Sequence, residues 1–290
     1  MSQLPEPVSF PSALEKFVNF LKNQKRSSAT VTAYKSDLSQ LETYLRSRRI
    51  TQATTVLPLH LQEYLSSLTG NGYTPKSISR KINSLKTFFK FLHTQKLNPQ
   101  NPSSDIAHPK FQTQPPRILS AEEFRRLREA SRLDIRVGAI IEILLQTGMR
   151  ISELFALKVS DVHKNELVIP ALENNASRTI TLPHTAAAAI QNYLKIRPDV
   201  SDPHLFITKT GHPLLVRNIR TSIDRYFKKA DLGGVKVNDL RHTFIAHQLK
   251  AGVDPELLSK VVGHRRLAST SKYLEFVKPG AVKTTKLQEL

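Results

Sequence analysis

A proline-rich segment near the middle of the chain limits what the chain can fold into. Prolines stand at positions 99, 102, 109, 115 and 116, with mostly polar residues between them. Because proline lacks a backbone N–H and has a fixed φ, neither a helix nor a central strand crosses such a segment. We therefore predict an N-terminal domain over residues 1–98, a linker over 99–117 and a C-terminal domain over 118–290.

Apolar residues recur at helical spacing in four stretches of the first domain. The first two stretches are SALEKFVNFLKNQ, which starts at Ser12, and ATVTAYKSDLSQLETYLRSR. The next two are PLHLQEYLSSL and SISRKINSLKTFFKFLHTQ, which the turn-like TGNGYTP separates. This periodicity predicts four amphipathic helices that end near Lys96, with no strand among them.

The chain is strongly basic, with 43 Lys and Arg against 24 Asp and Glu and a formal charge of +19. Such an excess attracts polyanions, and nucleic acid is the leading partner, although ribosomes and membrane surfaces also attract such a charge. No acidic residue stands between Tyr64 and Ser104, whereas this window holds Lys76, Arg80, Lys81, Lys86, Lys90 and Lys96. A merely solvated helix face usually mixes both signs, so we predict that this window contacts DNA phosphates.

Several classes of site and of location are excluded by composition. The absence of cysteine rules out disulfides, thiolate catalysis and cysteine-ligated zinc. His242, His247 and His264 do not suggest a zinc site, because the first two are five residues apart and do not share a helix face. We expect no metal and no cofactor. The N-terminus has no apolar run, and no apolar run elsewhere is long enough to span a bilayer. We therefore expect a cytoplasmic, nucleoid-associated protein with no membrane partner.

The second domain reads as mixed α and β. Ser120 and Glu123 form a capping box, and the apolar stretch RVGAIIEILLQTG predicts a buried central helix that ends at Gly148. ELVIP and RTITLP predict a small antiparallel sheet, with HLFIT as a third short strand. Helices are predicted again in TAAAAIQNYLKI, VRNIRTSIDRYFKKA, DLRHTFIAHQLKAG and DPELLSKVVG. The predicted fold class is mainly α with a small antiparallel β-sheet.

Three segments of the second domain together suggest phosphoryl transfer: TGMRISEL with Arg150, NDLRHTF with Arg241, and GHRRLASTSKYLEF with His264 and Tyr273. Taken alone, a tyrosine on an amphipathic helix usually packs. Two guanidinium groups, however, suit the charge that gathers on an attacked phosphodiester. His264 would donate to the phosphate or move a proton, and Tyr273, its anion favoured by nearby cations, would be the nucleophile.

These motifs resemble those of the tyrosine recombinases, the phage-integrase-like family, and among them the Xer-like members. The resemblance covers nearly the whole chain. It lies in TG-x-R-x-SEL, in x-x-L-R-H-T-F, and in a GH pair followed by a tyrosine nine residues after its histidine. The matching residues are Arg150, Glu153, Arg241, His264 and Tyr273.

The resemblance implies a fold and an activity. It implies a four-helix SAM-like DNA-binding domain and a mixed α+β catalytic domain that form a C-shaped clamp on duplex DNA. It also implies cleavage and rejoining through a covalent 3'-phosphotyrosyl intermediate in a tetramer on paired sites, for chromosome dimer resolution or for integration and excision of a mobile element. A second recombinase or an accessory protein is a possible partner. The resemblance further implies that the tail, with Leu287 and Leu290, docks onto a neighbouring subunit.

Asn238 departs from the family pattern, because the family usually has histidine there. Asparagine donates a hydrogen bond to a phosphate oxygen but does not carry a proton near neutral pH. Asn238 also precedes a predicted helix and reads equally well as its N-cap. Both interpretations stay open, and they are compatible.

The family's hairpin lysine, a general acid by resemblance, has no match in IPALENNASRTITLP. The aligned place falls near Asn174 or Asn175. Arg178 is the hairpin's only cation, and we favour a DNA-phosphate contact for it over a plain surface position. Without the lysine, the enzyme is slow, borrows Lys164 or another group, or binds DNA without cutting it. A type IB topoisomerase-like enzyme is a further alternative.

The other candidate residues have supporting roles. Glu153 either orients an active-site cation or serves its own helix. His242 is predicted to be a buried residue beside Arg241. The basic pair Arg265 and Arg266 is predicted to contact the DNA backbone rather than the reacting phosphate.

Overall fold

The protein folds into two units, Met1–Thr113 and Gln114–Leu290. The computed structural model describes residues 8–112, 114–172, 175–278, 280 and 284–290. The fold is mainly helical with a small antiparallel sheet, which confirms the predicted fold class. Among the described residues, no helix has the length and apolar character needed to cross a membrane.

The first unit is a bundle of four helices around a core rich in phenylalanine. The helices are α1 (Phe10–Asn23), α2 (Ser28–Ser47), α3 (Pro58–Gly70) and α4 (Pro75–Thr94). Side chains of Ser9, Ser27 and Thr74 cap α1, α2 and α4, because each accepts a hydrogen bond from a backbone N–H of the first turn. Phe17 packs edge-on against Phe88, and the ring centroids are 5.4 Å apart. The four predicted helices are therefore all present.

Part of the predicted linker belongs to this first unit. Ser103 is fully buried and Ile106 is 8% exposed within the core of the bundle. Lys86 of α4 also donates a hydrogen bond to the carbonyl oxygen of Ser104. An apolar residue among polar ones carries no periodic signal, so the sequence did not reveal that this part of the predicted linker packs on the bundle.

The second unit is built around a buried helix. Its helices are α5 (Ala121–Ser131), α6 (Ile135–Thr147), α7 (Ile151–Ala156), α8 (His184–Ile196), α9 (Val216–Lys229), α10 (Val237–Lys250), α11 (Pro255–Val262) and α12 (Ala268–Ser271). The capping box of Ser120 and Glu123 is present at the start of α5. Helix α6 is almost wholly buried and packs against α8 and α10. It ends at Gly148, whose φ of 60° lies in the left-handed region.

The sheet of this unit has two strands, β1 (Glu166–Ile169) and β2 (Arg178–Thr181), which pair antiparallel with Ile169 opposite Arg178. The predicted third strand over residues 204–208 is wrong. That segment makes only isolated bridges, from His204 to Lys158 and from Ile207 to Pro213. Leu205 and Phe206 are buried, so its apolar character reflects packing rather than strand pairing.

The tail lies against the second unit, to which it belongs. The side-chain amide of Gln248 donates to the carbonyl oxygen of Gln288 at 2.7 Å and accepts from its N–H at 2.8 Å. Gln146 makes the same pair of hydrogen bonds with Leu290, at 3.1 Å each. Leu287 and Leu290 pack against the core. In this structure, residues 284–290 therefore dock on their own chain, whereas the resemblance implied a neighbouring subunit.

Candidate active site and DNA-binding surface

Glu153 is the anionic centre of the candidate site. Its carboxylate is 1% exposed and accepts two hydrogen bonds from Arg178, at 3.0 Å each. It also accepts from the backbone N–H of Arg150 at 2.8 Å and from Arg150 Nη1 at 3.2 Å. Burial by itself raises the pKa of Glu153, but the hydrogen bonds from Arg178 and Arg150 outweigh it, so the pKa lies below its usual range. Glu153 thus both caps its own helix and orients two cations.

Arg178 lies inside the protein rather than on the surface. It stands at the start of β2, its side chain is 11% exposed, and Nε donates to the carbonyl oxygen of Val261 at 2.6 Å. This placement corrects the prediction that Arg178 contacts a DNA phosphate, because its guanidinium is committed to Glu153 and to α11. Sequence analysis missed this pair. The one available signal was that an acidic residue at a buried position needs a cationic partner.

Gly263 ends α11, makes room for Arg178 and accepts a hydrogen bond from Arg150. Its φ of 67° is left-handed, and a Cβ there would lie 2.9 Å from Nη1 of Arg178. Its carbonyl oxygen accepts a hydrogen bond from Nη2 of Arg150 at 3.2 Å. The glycine of the GH pair therefore brings the end of α11 onto the arginine cluster.

Arg241 lies deeper, on α10, with 6% of its surface exposed. Nη1 donates to the carbonyl oxygen of Gly148 at 2.6 Å, next to the loop that carries Arg150. Within the described part of the chain, Nη2 is buried and has no hydrogen-bond partner. Burial, with the charge of Arg150, lowers the pKa of Arg241 to about 10. A buried cation with an unsatisfied donor suits an anionic ligand.

His264 follows Gly263 and faces the same cations. Its Nδ1 is 2.7 Å from the hydroxyl of Thr270, which is fully buried. Burial lowers the pKa of His264 to about 4, and the charges of Arg241 and Arg150 add to the shift. In the free protein, His264 is therefore neutral at physiological pH.

This shift gives a pH dependence of stability. Because the unfolded chain binds the proton more readily, the stability that neutral His264 contributes is fully present above its ordinary pKa of about 6.5 and is lost as the pH falls through about 4. We expect the midpoint temperature of thermal unfolding to fall less between pH 7 and pH 4 in His264→Gln than in the wild type. His212→Gln, at an exposed histidine outside the site, is the control and should match the wild type. Equal slopes for wild type and His264→Gln would contradict the shift.

Tyr273 is buried beside this cluster, in a short 3-10 turn (Lys272–Glu275) that continues α12. Its hydroxyl is hydrogen-bonded to Nδ1 of His242. Burial raises the pKa of Tyr273 to about 12, although the charge of Arg241 acts in the opposite direction. This finding differs from the expectation that cations favour the phenolate, because desolvation outweighs their attraction in the DNA-free protein.

Asn238 does not cap α10. The N-cap is Lys236, and the carboxylate of Asp239 accepts its backbone N–H at 2.8 Å. Asn238 stands inside the first turn, and its Nδ2 is 2.7 Å from Nε2 of His242. The N-cap interpretation is therefore wrong, and the side chain contacts His242 one helical turn later.

A cleft of about 450 Å³ lies between the end of the hairpin and α11. It is lined by Asn175, Arg178, Lys260, His264 and Arg265, among others. Asn174 lies outside the described residues, and Lys164 is not among the residues that line the cleft. The sequence motifs did not point to Lys260, an exposed cation on α11 that stands four residues before His264. It is the lysine that this cleft offers.

The basic window on α4 divides into a surface and a buried cluster. Lys76, Arg80 and Lys90 are exposed and Lys86 is partly exposed, and at about 100° per residue the four lie within about a third of the helix circumference. Lys81 is different, with 5% exposure and a hydrogen bond of 2.9 Å to Asp37 of α2.

The prediction that Lys81 contacts DNA is therefore contradicted. Asp37 is 2% exposed and also accepts from Ser84 at 2.8 Å and from Arg80 at 2.8 Å. The window has no carboxylate of its own, but the fold supplies one from another helix. Arg80 keeps an exposed side chain despite this pair. Arg265 and Arg266, in the second unit, are exposed, and their contact with the DNA backbone stays a prediction.

Comparisons with known proteins give matches over both units. A model of the phage integrase family matches residues 117–278, and a model of the phage integrase N-terminal SAM-like domain matches residues 14–96. Tyrosine recombinase XerA of Pyrococcus furiosus is 31% identical over 268 residues, which cover 90% of this chain and 88% of the relative. Tyrosine recombinase XerC of Bacillus pumilus is 30% identical over 284 residues, 92% of this chain and 93% of the relative.

Two solved structures share the fold. A crystal structure of XerA recombinase aligns with a TM-score of 0.52 at 25% identity and covers 91% of this chain and 93% of that chain. A lambda integrase dimer bound to a COC' core site aligns with a TM-score of 0.77 at 15% identity and covers 97% of this chain and 81% of that chain.

Proposed function

The chain belongs to the phage integrase family of tyrosine recombinases, and on that premise we propose that it recombines DNA at specific sites with Tyr273 as its nucleophile. The carrying observation is the convergence of Arg150, Arg241 and His264 beside a buried tyrosine, with one donor of Arg241 unsatisfied among the described residues. A phosphodiester between the two arginines would satisfy that donor and receive charge on its non-bridging oxygens.

The proposed chemistry is a transesterification. The hydroxyl oxygen of Tyr273 bonds to phosphorus while the bond from phosphorus to the 5'-oxygen breaks, which leaves the 3'-phosphate on the tyrosine. The phenol proton leaves to solvent, and the departing 5'-oxygen takes up a proton. Lys260, which lines the cleft, and His264 are the nearby groups for that transfer. Rejoining is the reverse reaction, with the free 5'-hydroxyl as nucleophile.

We propose that the exposed basic residues bind the DNA backbone. In the first unit these are Lys76, Arg80, Lys86 and Lys90, and in the second unit they are Arg265 and Arg266. Self-association is supported by a lambda integrase structure described as a tetramer bound to a Holliday junction. We propose a tetramer on paired sites, in the cytoplasm at the nucleoid, with a second recombinase or an accessory protein as a further partner.

A second candidate is a DNA-binding protein that no longer cuts. The observation that favours it is the missing hairpin lysine, since the aligned place falls near Asn174 or Asn175 and a lost general acid typically lowers the rate by about 10²–10⁴-fold. This protein would occupy the same sites without forming a covalent bond.

The experiment that tests the proposal is recovery of SDS-resistant protein–DNA adducts from the native host, with sequencing of the attached ends. We expect adducts at a small set of related sequences and none with Tyr273→Phe. As a control, Tyr226→Phe removes the hydroxyl of another tyrosine in the second unit and should leave the adducts in place. Occupancy without adducts would favour the non-cutting protein. Adducts at unrelated sequences together with supercoil relaxation would favour a topoisomerase-like enzyme.

A further inference from the structure

Three side chains form a hydrogen-bonded row that ends on the nucleophile. Nδ2 of Asn238 lies 2.7 Å from Nε2 of His242, and Nδ1 of His242 is hydrogen-bonded to the hydroxyl of Tyr273. Asn238 and His242 are four residues apart on α10, so they share a helix face. The rings of His242 and Tyr273 lie with centroids 5.7 Å apart.

The order of donors in this row decides what His242 can do. An amide nitrogen only donates, so Nε2 of His242 accepts from Asn238. Burial lowers the pKa of His242, which keeps the ring neutral at physiological pH. The single ring proton then lies on Nδ1, and Nδ1–H donates to the oxygen of Tyr273.

We propose that Asn238 is a positioning residue for the nucleophile: through His242, it fixes the imidazole tautomer whose Nδ1–H holds the oxygen of Tyr273. As a donor, His242 does not take the phenol proton, which leaves to solvent. Instead, it orients the oxygen and stabilises the negative charge that develops on it. This inference rests on Tyr273 being the nucleophile, as proposed above.

Charged neighbours of His242 leave this arrangement intact. Asp239 raises and Arg241 lowers the pKa of His242, so the two act in opposite directions. The carboxylate of Asp239 is bonded to the N–H of Lys236, and Arg241 is bonded to Gly148. Neither one therefore replaces Asn238 at Nε2.

Asparagine at this position has a different effect from a carboxylate of the same shape. In Asn238→Asp, an ionised carboxylate accepts a hydrogen bond and would draw the ring proton to Nε2. Nδ1 would then lose its proton and become an acceptor for the phenol O–H. Asn238→Asp therefore reverses the direction of both hydrogen bonds in the row with almost no change in side-chain volume. Asn238→Ala removes the contact with His242.

The tautomer of His242 tests the proposal by nuclear magnetic resonance of the full chain with ¹⁵N-labelled histidine, without DNA. The His242→Gln variant assigns the signal. We expect the Nδ1–H tautomer in the wild type, the Nε2–H tautomer in Asn238→Asp, and a mixture in Asn238→Ala. An Nε2–H tautomer in the wild type, or the same tautomer in wild type and Asn238→Asp, would overturn the proposal.

The catalytic consequence is measured as the rate of adduct formation against pH, on a site recovered from the host. We expect Asn238→Asp to be slower by about tenfold or more at neutral pH, with the rate recovering toward higher pH as the phenol ionises without help. Equal rate profiles for the two proteins would overturn the proposal. Because the tautomer is read without DNA, its result stands even if no adduct forms, which separates a failure of this inference from a failure of the proposed function.

Discussion

Replacement of Arg178 by alanine is expected to abolish DNA cleavage and to lower the free energy of unfolding by about 3–5 kcal/mol. The reason is Glu153, whose carboxylate is 1% exposed and receives two of its hydrogen bonds from Arg178. Without them, the buried carboxylate keeps Arg150 as its one cationic partner in the described part of the chain. Arg150 would then be held more firmly by Glu153 and would present less charge to a phosphate.

Urea unfolding followed by circular dichroism measures the loss of stability, and adduct recovery measures the loss of cleavage. Arg265→Ala is the matched control, because it removes an exposed arginine of the same unit and should change stability by less than about 0.5 kcal/mol. Adding Glu153→Gln to Arg178→Ala removes the stranded charge and should recover part of the stability. If Arg178→Ala keeps full stability and weakens only DNA binding, the guanidinium contacts DNA as the sequence suggested.

Replacement of Asp37 by alanine is expected to lower the free energy of unfolding of the first unit by about 3–5 kcal/mol. Lys81 is 5% exposed and would lose the carboxylate with which it pairs. Ser84 would also lose the acceptor of its hydroxyl. A buried ammonium group without an anion is costly because it has lost its hydration.

Urea unfolding of single and double variants checks this result. Glu42→Ala on the same helix breaks an ion pair with the exposed Arg46 and should cost less than about 1 kcal/mol. Adding Lys81→Met to Asp37→Ala replaces the unpaired cation by an apolar chain of similar length, and most of the stability should return. Unchanged stability in Asp37→Ala would mean that Lys81 turns outward, where it is available to DNA.

The helices and their ends were predictable from local patterns. A capping box such as that of Ser120 and Glu123, or a stop such as Gly148 or Gly263, depends on residues within one turn of each other. The candidate phosphate-binding residues were found for a related reason, since Arg150, Arg241, His264 and Tyr273 each stand in a short motif.

Contacts between distant segments were not predictable in the same way. Asp37 pairs with Lys81 from 44 residues away, and Glu153 pairs with Arg178 from 25 residues away. Local sequence therefore assigned Lys81 to DNA as part of a window without carboxylates, and Arg178 as the only cation of its hairpin, whereas each side chain pairs with a carboxylate from another segment. The contact of Asn238 with His242 is local, but the sequence around Asn238 also fitted a helix N-cap. The position of the N-cap at Lys236 shows that Asn238 lies inside the helix instead.

The side-chain amides of the two glutamines bind the tail with the hydrogen bonds that a neighbouring β-strand would supply. Gln248 and Gln146 each exchange both an N–H and a C=O with one residue of the tail, at Gln288 and Leu290, which are two positions apart as on one face of a strand. Such bonds recognise main chain rather than side chains. Docking of the tail is thus determined by which backbone groups stand opposite the two glutamines and by the bulk of Leu287 and Leu290. The identity of the side chain at position 288 matters little to these hydrogen bonds.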